Sequence, residues 1–231
     1  MQVTFLSERA ESDNISTFFF TPERHLRYTA GQFVELRLPH ENVDDRGDSR
    51  WFTLSSSPTS KLLSITTEFT DLRGSSFKKA LKRLEPGVAL SMSDPLGDFV
   101  LPRLVQTPLI FVAGGIGVTP YCSMLQWIAA TNDTRDIKMI YGVSSEEEII
   151  FQDVFESAGQ HVTTIVSQPS DSWGGERGRV TADFILGLEK PNDETMIYLS
   201  GPELMIQTLT QDLYKKGVHR RQLLSDHFPG Y

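Results

Sequence analysis

Three glycines that follow an apolar run are the residues whose type and spacing point most directly to chemistry. The run Leu109–Ala113 is continuously apolar, which predicts a strand buried on both faces. The glycines follow at Gly114, Gly115 and Gly117. Thr119 and Pro120 then predict the N-cap and the first turn of a helix. Backbone N–H groups at such a strand–turn–helix junction can bind an anion, commonly a nucleotide phosphate.

The glycine turn matches neither of two familiar phosphate-binding patterns. It is not Gly-x-Gly-x-x-Gly, and no Lys-Ser/Thr pair follows it as in a P-loop. A tight turn without a ligand is therefore the alternative on this stretch alone. The turns after three later strands also contain glycines, at Gly142, Gly174, Gly175 and Gly201. Because ligands of open α/β sheets bind outside the carboxyl ends of the strands, this repetition favours a nucleotide site.

The bulk composition excludes several classes of protein. The 231 residues carry a formal net charge of −8, which argues against nucleic acid as a partner. The single cysteine, Cys122, rules out a disulfide framework and a Cys-ligated iron–sulfur cluster, and the five histidines show no metal-ligand spacing. No apolar run approaches the length of a membrane span. The first residues do not resemble a signal peptide, so we expect a cytoplasmic protein without bound metal.

The pattern of strands and helices along the chain predicts two domains. Between residues 2 and 100, short strands alternate with Pro and Gly turns, which is typical of an antiparallel β-barrel. After residue 108, strands alternate with helices, which predicts an α/β domain with a parallel sheet. We place the boundary so that the domains are residues 1–103 and 104–231. The second holds most of the negative charge, with 9 Lys and Arg against 16 Asp and Glu.

The individual elements follow from the same patterns. In the first domain the predicted strands are 15–20, 31–38, 50–55, 62–69 and 88–93, with one helix over 75–84. In the second domain the predicted strands are 109–113, 137–141, 161–167 and 196–200, followed in turn by helices 119–130, 146–157, 181–188 and 202–216. The acidic stretch 41–49 is predicted to be a surface loop.

Several motifs in a fixed order carry a resemblance to a known family. A barrel with Arg50-Trp-Phe-Thr53, followed by an α/β domain with Gly-Gly-Ile-Gly-Val-Thr-Pro120, resembles the ferredoxin–NADP reductase superfamily. Further landmarks agree, namely Gly31-Gln-Phe, Arg73-Gly-Ser-Ser76, Pro95-Leu-Gly-Asp-Phe99, Ser200-Gly-Pro202 with Met205, and Asp226-x-Phe228. The resemblance covers nearly the whole chain. It implies an FAD-dependent NAD(P)H oxidoreductase without an iron–sulfur domain.

The resemblance implies a flavin site in the barrel. Arg50 would pair with a flavin phosphate, Phe52 would stack on the isoalloxazine, and the Thr53 hydroxyl would hydrogen-bond its N5. The strand that would run along the flavin contains Thr66, Thr67 and Glu68. The helix N-terminus that would hold the phosphate or pyrophosphate contains Gly74, Ser75 and Ser76. Plain N-capping by these serines is the alternative and does not exclude phosphate binding.

The resemblance also implies a nicotinamide nucleotide site in the α/β domain. Its residues would be Gly115, Gly117, Thr119, Ser144, Gly201, Pro202 and Met205. Ser200 stands where the family often has a cysteine beside the nicotinamide, and it is a catalytic candidate together with Thr53. Ser144, which stands where NADPH-using members often have an arginine, precedes three glutamates, so NADH is preferred. Arg177 and Arg179 could instead supply charge for NADPH.

The C-terminal aromatic residues are the last candidates for the cofactor sites. By resemblance, Phe228 would cover the second face of the isoalloxazine, which makes it the third catalytic candidate. Tyr231 would take that place instead or contact the adenine. A terminal aromatic residue packed in a groove is the alternative interpretation.

The resulting prediction is a reductase that takes electrons from NADH or NADPH onto FAD, preferred over FMN, and passes them to an acceptor. Ferredoxin or flavodoxin could dock on a basic cluster formed by Lys78, Lys79, Lys82 and Arg83. A solvated helix face explains that cluster equally well. Two other functions stay open: an NAD(P)H:flavin oxidoreductase that uses diffusible flavin, as Phe52 in place of Tyr suggests, and a flavin-bearing electron-transfer subunit of a larger complex.

Overall fold

The computed structural model describes residues 1–69, 74–188 and 190–228, with positions 227 and 228 described by their backbone. Six strands form an antiparallel sheet in the order β4-β3-β6-β1-β2-β5. They are β1 Gln2–Ala10, β2 Ile15–Pro22, β3 Phe33–Arg37, β4 Ser49–Thr53, β5 Leu63–Glu68 and β6 Ala89–Met92. A helix, α1 Ser76–Leu81, lies between β5 and β6 in the chain.

The first sheet closes on itself where its two edge strands meet. Leu54, directly after β4, forms a β-bridge with Ile65 of β5, and the Ser55 N–H donates to the Ser64 carbonyl at 2.8 Å. Closure removes the exposed strand edges. Alternate strand side chains, such as that of Phe18, point inward and form an apolar core, to which α1 adds Phe77. The prediction of an antiparallel β-barrel is therefore confirmed.

The second sheet is parallel throughout and has the order β10-β9-β8-β7-β11-β12. Its strands are β7 Leu109–Gly114, β8 Ile137–Val143, β9 Val162–Val166, β10 Glu176–Arg177, β11 Met196–Pro202 and β12 Leu223–Phe228. Its helices are α2 Thr119–Thr131, α3 Gln152–Ser157, α4 Ala182–Leu188 and α5 Glu203–Lys215. Every residue of β7 is buried, as the unbroken apolar run predicts. The α/β part of the predicted fold is also confirmed.

Four elements differ from their predictions, one of them the two-residue edge strand β10, which was not predicted. The first strand, β1, was not among the predicted strands, because most of its residues are exposed and its sequence is largely polar. The helix predicted over 146–157 is wrong in its first half: a 3₁₀ turn, Glu146–Glu148, is followed by a break, and Phe151 has φ +63° just before α3. Ile150 and Phe151 are buried in the break, so burial of their side chains interrupts the helix. The edge strand β12 was also not predicted.

The two sheets are joined through α2. Its Ser123 hydroxyl donates to the Ser56 carbonyl at 2.5 Å, and the Gln126 side chain donates to the Ser55 carbonyl at 3.2 Å. The apolar core on the α2 side of the parallel sheet also takes in Ile15 and Phe99 from the barrel side. The predicted boundary at residues 103 and 104 falls between β6 and β7 and stays a prediction. No helix in the described part of the chain has the length and apolar character of a membrane span.

Candidate functional site

The glycine turn lies against the end of the neighbouring strand. Strands β7 and β11 are parallel, with Ala113 opposite Ser200. A Cβ at Gly117 would overlap the Ser200 carbonyl and lie 2.6 Å from the Gly201 Cα, while one at Gly114 would overlap the Met205 sulfur. The close approach of the two strand ends therefore needs glycine at Gly117, where the clash is with backbone, whereas at Gly114 the clash is with the flexible Met205 side chain. These predicted nucleotide-site residues do lie together at the carboxyl edge of the sheet.

Gly115 has a different role in the same turn. Its φ is +51°, a left-handed conformation, and no described atom lies within 4 Å of the position that a Cβ would take. The backbone at Gly115 therefore faces open space, whereas Gly117 faces Ser200. An anion could approach the turn from the Gly115 side without meeting a side chain.

The prediction that Thr119 is a helix N-cap is wrong. Residues Gly115–Val118 form a 3₁₀ turn that runs directly into α2, so Val118 precedes the helix and Thr119 is its first residue. The Thr119 hydroxyl donates back to the Ile116 carbonyl at 3.1 Å. Its hydroxyl proton therefore serves the turn itself, and the role predicted for Thr119 in holding a phosphate stays a prediction.

Two buried hydroxyls stand out because nothing in the described part of the chain hydrogen-bonds them. Thr53 is 3% exposed and Ser200 is 0% exposed, and the hydroxyl oxygen of each has no partner among the residues described. Leaving such a group unsatisfied costs about 1–3 kcal/mol. Each lies at or near the carboxyl end of its strand, β4 or β11. Buried, unsatisfied hydroxyls at strand ends are suited to hydrogen-bond a ligand.

Arg50 is buried inside the barrel beside aromatic rings. One terminal nitrogen donates to the Arg46 carbonyl at 2.7 Å and to the Gly47 carbonyl at 3.1 Å. The guanidinium carbon lies 5.5 Å from the centre of the Phe77 ring, and that ring lies 5.8 Å from the ring of Phe52. The predicted phosphate ligand and the predicted stacking ring are thus brought to one place, with Phe52 8% exposed.

A carboxylate that the sequence did not single out sits beside Arg50. Asp44 lies 3.6 Å from a terminal nitrogen of Arg50 and 2.8 Å from one of Arg46. It also accepts the Ser76 N–H at 2.8 Å, where α1 begins. Hydrogen bonds from Arg46 and from the Ser76 backbone lower the pKa of the Asp44 carboxyl. Asp44 therefore stays ionised in solution near neutral pH.

The two serines at the start of α1 are held by different partners. The Ser75 hydroxyl accepts the Lys78 N–H at 3.2 Å, which confirms plain N-capping by this buried residue. The Ser76 hydroxyl accepts the Asp44 N–H at 3.0 Å and is hydrogen-bonded to His40 Nε2 at 2.9 Å. Gly74 lies just before them, and Arg73 lies outside the described residues.

The polar side chains of β5 hydrogen-bond mainly within the barrel. The Thr66 hydroxyl bonds with those of Thr17, at 2.8 Å, and Ser55, at 3.0 Å, so it is satisfied within the barrel. Thr67 is buried, and β5 contacts the Gly115–Val118 turn of the second domain. Glu68, at the end of β5, accepts the Asn14 side-chain amide at 3.1 Å. Burial, followed by repulsion from Glu148 of the second domain, raises the pKa of the Glu68 carboxyl.

The raised pKa of Glu68 predicts how stability depends on pH. The folded protein holds this proton more tightly than the unfolded chain, so stability falls as pH rises through the folded-state pKa. Replacing Glu68 with Gln removes that loss. We expect Glu68→Gln to melt at a higher temperature than the wild type at a pH of about 8, with the difference shrinking toward a pH of about 4. An equal difference at both pH values would contradict the assignment.

The basic cluster on α1 is largely engaged within the molecule. Lys78 is half-buried and donates to the Glu68 carbonyl at 2.8 Å. Lys82 pairs with Glu8, and its ammonium lies 4.9 Å from the centre of the Phe69 ring. Lys79 and Arg83 are exposed. Two of the four predicted docking residues therefore stabilise the barrel as well as carrying charge.

The loop after β8 is acidic and held by its own carboxylates. Glu148 accepts the Ser144 N–H at 2.9 Å, and Glu146 accepts the Ser170 N–H at 2.9 Å. Hydrogen bonding from Ser145 lowers the pKa of the exposed Glu147 carboxyl. Arg177, one of the two cations suggested as an alternative, donates to the Ser170 and Trp173 carbonyls of its own loop, at 3.1 and 2.7 Å, and the other, Arg179, is exposed. At least one carboxylate, that of Glu148, is therefore held directly against Ser144.

The C-terminal residues are described only in part. The backbone of Phe228 pairs with Pro202 across β12 and β11, so this residue is at the same sheet edge as Ser200 and Gly201. Tyr231 lies outside the described residues, and its predicted role stays a prediction.

No group of three or more His, Cys, Asp or Glu that could hold a metal ion occurs within residues 1–69, 74–188 and 190–228.

Comparison with known proteins gives a family match in the second domain. The model of the oxidoreductase NAD-binding domain matches residues 111–211. The flavohemoprotein of Xylella fastidiosa (strain Temecula1 / ATCC 700964) is 27% identical over 226 residues, covering 94% of this chain and 56% of that protein. The toluate 1,2-dioxygenase electron transfer component of Pseudomonas putida is 28% identical over 211 residues, covering 88% and 59%. The chain thus spans little more than half the length of these relatives.

Solved structures share the whole fold. The flavohem-like FAD/NAD binding domain of nitric oxide dioxygenase from Vibrio cholerae O1 biovar El Tor superimposes with a TM-score of 0.83, at 19% identity and with 98% of both chains covered. A ferredoxin NADP⁺ reductase from Neisseria gonorrhoeae, solved with bound FAD and NADP, gives a TM-score of 0.81 at 17% identity, again with 98% of both chains covered. At these identities the likeness shows the arrangement of the two domains.

Proposed function

Because this chain belongs to the ferredoxin–NADP reductase superfamily, we propose that it is an NAD(P)H-dependent flavoprotein reductase that delivers electrons to a further acceptor. The observation that carries the proposal is the pair of buried hydroxyls, Thr53 and Ser200, that no described residue hydrogen-bonds. One belongs to each domain, and each is at a strand end where the family places a cofactor. A chain that used neither cofactor would gain stability by replacing both hydroxyls with apolar groups.

The barrel residues fit a flavin. Arg50 offers a planar cation, Phe52 offers a ring, and Thr53 offers a hydroxyl that can donate or accept. FAD bound there would accept electrons from the reduced nicotinamide and release them to the acceptor. Thr66 and Thr67 are buried in β5, which contacts the Gly115–Val118 turn, and we assign this strand to the lining of the flavin site.

The α/β residues fit a dinucleotide. The turn at Gly115 presents backbone without a side chain, and Gly117 holds it against Ser200 and Gly201. We assign the pyrophosphate to the Gly115 side of this turn and the nicotinamide to the neighbourhood of Ser200 and Pro202. The protein's part in the reaction is to hold the two cofactors at the fixed distance that the domain contact through α2 sets.

The nicotinamide nucleotide that we propose is NADH. The 2′-phosphate of NADPH would approach Ser144, where Glu146, Glu147 and Glu148 are all carboxylates. Like charges brought together at a binding site disfavour the complex. The Arg177 guanidinium is engaged by carbonyls of its own loop, which leaves fewer of its N–H groups to bind a 2′-phosphate.

The proposal extends to the class of the electron acceptor. The Pseudomonas putida relative is an electron transfer component of a dioxygenase, which favours a small redox protein or an oxygenase as the acceptor here. If the acceptor is acidic, as ferredoxin and flavodoxin are, Lys79 and Arg83 are the exposed cations available on α1 and the turn after it.

A specific observation supports the second candidate, an oxidoreductase with diffusible flavin. Asp44 already neutralises part of the charge on Arg50, the residue proposed to bind the flavin phosphate.

Purified protein provides the test of function. We expect it to show the absorption of an oxidised flavin, alone or after FAD is added, and to be bleached by NADH with a kcat/KM at least about tenfold above that with NADPH. Glu147→Gln should lower the ratio of kcat/KM with NADH to kcat/KM with NADPH. This variant leaves the hydrogen bonds from Ser144 N–H to Glu148 and from Ser170 N–H to Glu146 in place. Glu156→Gln on the exposed face of α3 is the matched control and should leave it unchanged.

Two outcomes would contradict this proposal separately. A colourless protein that also fails to bind added FAD would remove the flavin assignment. Bleaching by NADPH but not by NADH would keep the flavin and reverse the nucleotide preference.

A further inference from the structure

A surface loop of the barrel places a carboxylate against the one buried arginine that the flavin site requires. The loop comprises residues 41–48, between β3 and β4, and its Asp44 side chain reaches inward while its neighbour Asp45 is exposed. The Asp44 carboxylate contacts Arg50 at 3.6 Å and accepts the Ser76 N–H at 2.8 Å. These contacts come from two separate elements, β4 and the start of α1.

We propose that Asp44 competes with the flavin phosphate for Arg50 and thereby sets the affinity of this protein for phosphate-bearing flavins. The proposal rests on the proposed function, because it takes Arg50 as the phosphate ligand. A carboxylate and a phosphate are both anions that prefer the same planar guanidinium fork. The Arg50 side chain is 3% exposed, so two anions cannot both approach it as hydrated groups.

The loop is held in a way that lets it exchange one anion for another. Its inward contacts are few and polar: the Asp44 N–H donates to the Ser76 hydroxyl at 3.0 Å, and Arg46 folds back onto the Asp44 carboxylate at 2.8 Å. The loop residues Glu41, Asn42, Val43 and Asp45 are exposed. Little apolar surface therefore has to be uncovered when residues 41–45 move aside, while the second part of the loop keeps Arg50 in place through the carbonyls of Arg46 and Gly47.

The proposal distinguishes the flavins that carry phosphate, FMN and FAD, from riboflavin, which carries none. FMN and FAD must displace Asp44 from Arg50 or share the arginine with it, and either adds a cost to binding. Riboflavin has the same ring system and no phosphate, so it leaves the Asp44 contact in place. Asp44 should therefore lower affinity for FMN and FAD and have no effect on affinity for riboflavin.

The test measures flavin dissociation constants by equilibrium dialysis of purified wild type, Asp44→Asn and Asp45→Asn. Asn keeps the shape of the Asp44 side chain and an oxygen that can accept the Ser76 N–H. We expect Asp44→Asn to bind FMN and FAD about tenfold more tightly than the wild type does, with riboflavin unchanged. Asp45→Asn removes the same charge from the exposed part of the loop and should leave all three constants unchanged.

Each outcome decides the proposal. Unchanged or weaker FMN binding by Asp44→Asn would overturn it, as would an equal gain for riboflavin or an equal gain in Asp45→Asn. If no flavin binds the wild type, the proposed function fails and this inference fails with it. If flavins bind but the FMN-to-riboflavin ratio does not respond to Asp44, this inference alone fails.

A measurement on the wild type alone checks the same idea without a variant. Hydrogen exchange of the backbone over residues 41–45 and at Ser76 should become faster in the presence of saturating FMN, because Asp44 gives up its contacts with Ser76. Saturating riboflavin should leave exchange there unchanged. Protection of the loop by FMN would overturn the proposal.

Discussion

Gly117→Ala is expected to lower kcat/KM for flavin reduction by NADH by about a hundredfold or more. The added Cβ would overlap the Ser200 carbonyl, which is backbone of the neighbouring strand and has no flexible end that could move away. The turn and the end of β11 would have to separate, and this displaces both Ser200 and the backbone proposed to hold the pyrophosphate. Misplacement of a reacting pair by about 1 Å costs on the order of 10²-fold in rate.

A matched substitution separates this local effect from a general effect of alanine. Gly187 lies in α4, is exposed, and has no described atom within 4 Å of its Cβ position. Gly187→Ala should keep full activity and gain up to about 1 kcal/mol of stability, since alanine is the better helix former. Steady-state kinetics with NADH and thermal unfolding of both variants provide the comparison. If Gly117→Ala retains wild-type kcat/KM, the turn does not position the nucleotide.

The glycine turn could be predicted from sequence because all its determinants are local. The apolar run of β7 and the glycines after it are adjacent in the chain, and burial of the whole strand follows from the run itself. The alternation of strands with helices likewise predicted a parallel sheet. The resemblance then located Arg50 and Ser200, which local reasoning alone would have treated as an ordinary strand arginine and a strand-end serine.

The parts that the sequence did not reveal depend on contacts between distant residues. Asp44 meets Ser76 only because the barrel brings the loop before β4 to the start of α1, 32 positions later in the chain. Thr119 has the residue type of an N-cap, but the 3₁₀ turn before it continues the helical path and removes the extended residue that a cap requires. The helix predicted over 146–157 begins only at Gln152, because Phe151 is buried in the core just before it.

Thr53→Val and Ser200→Ala are expected to make the protein more stable and less active. Both hydroxyls are buried and have no partner among the described residues, so removing either should raise the free energy of unfolding by about 1 kcal/mol in protein free of cofactors. The same changes remove the groups proposed to contact the flavin and the nicotinamide. Flavin reduction by NADH should therefore slow by about ten- to a hundredfold, measured by stopped-flow absorbance.

Thr17→Val is the matched control for Thr53→Val and Ser200→Ala. The Thr17 hydroxyl is as deeply buried, but it bonds with the Thr66 hydroxyl at 2.8 Å and with the Glu11 carboxylate at 2.5 Å. Its removal takes one hydrogen bond from each partner, although Thr66 keeps its bond to Ser55 and Glu11 keeps its bonds from Arg9. Thr17→Val should therefore lower stability by about 1 kcal/mol while leaving the rate of flavin reduction unchanged. A loss of stability in Thr53→Val would mean that its hydroxyl is satisfied within the protein. Stability and rate moving in opposite directions, in the two site variants alone, would show that these hydroxyls are retained for the cofactors and not for the fold.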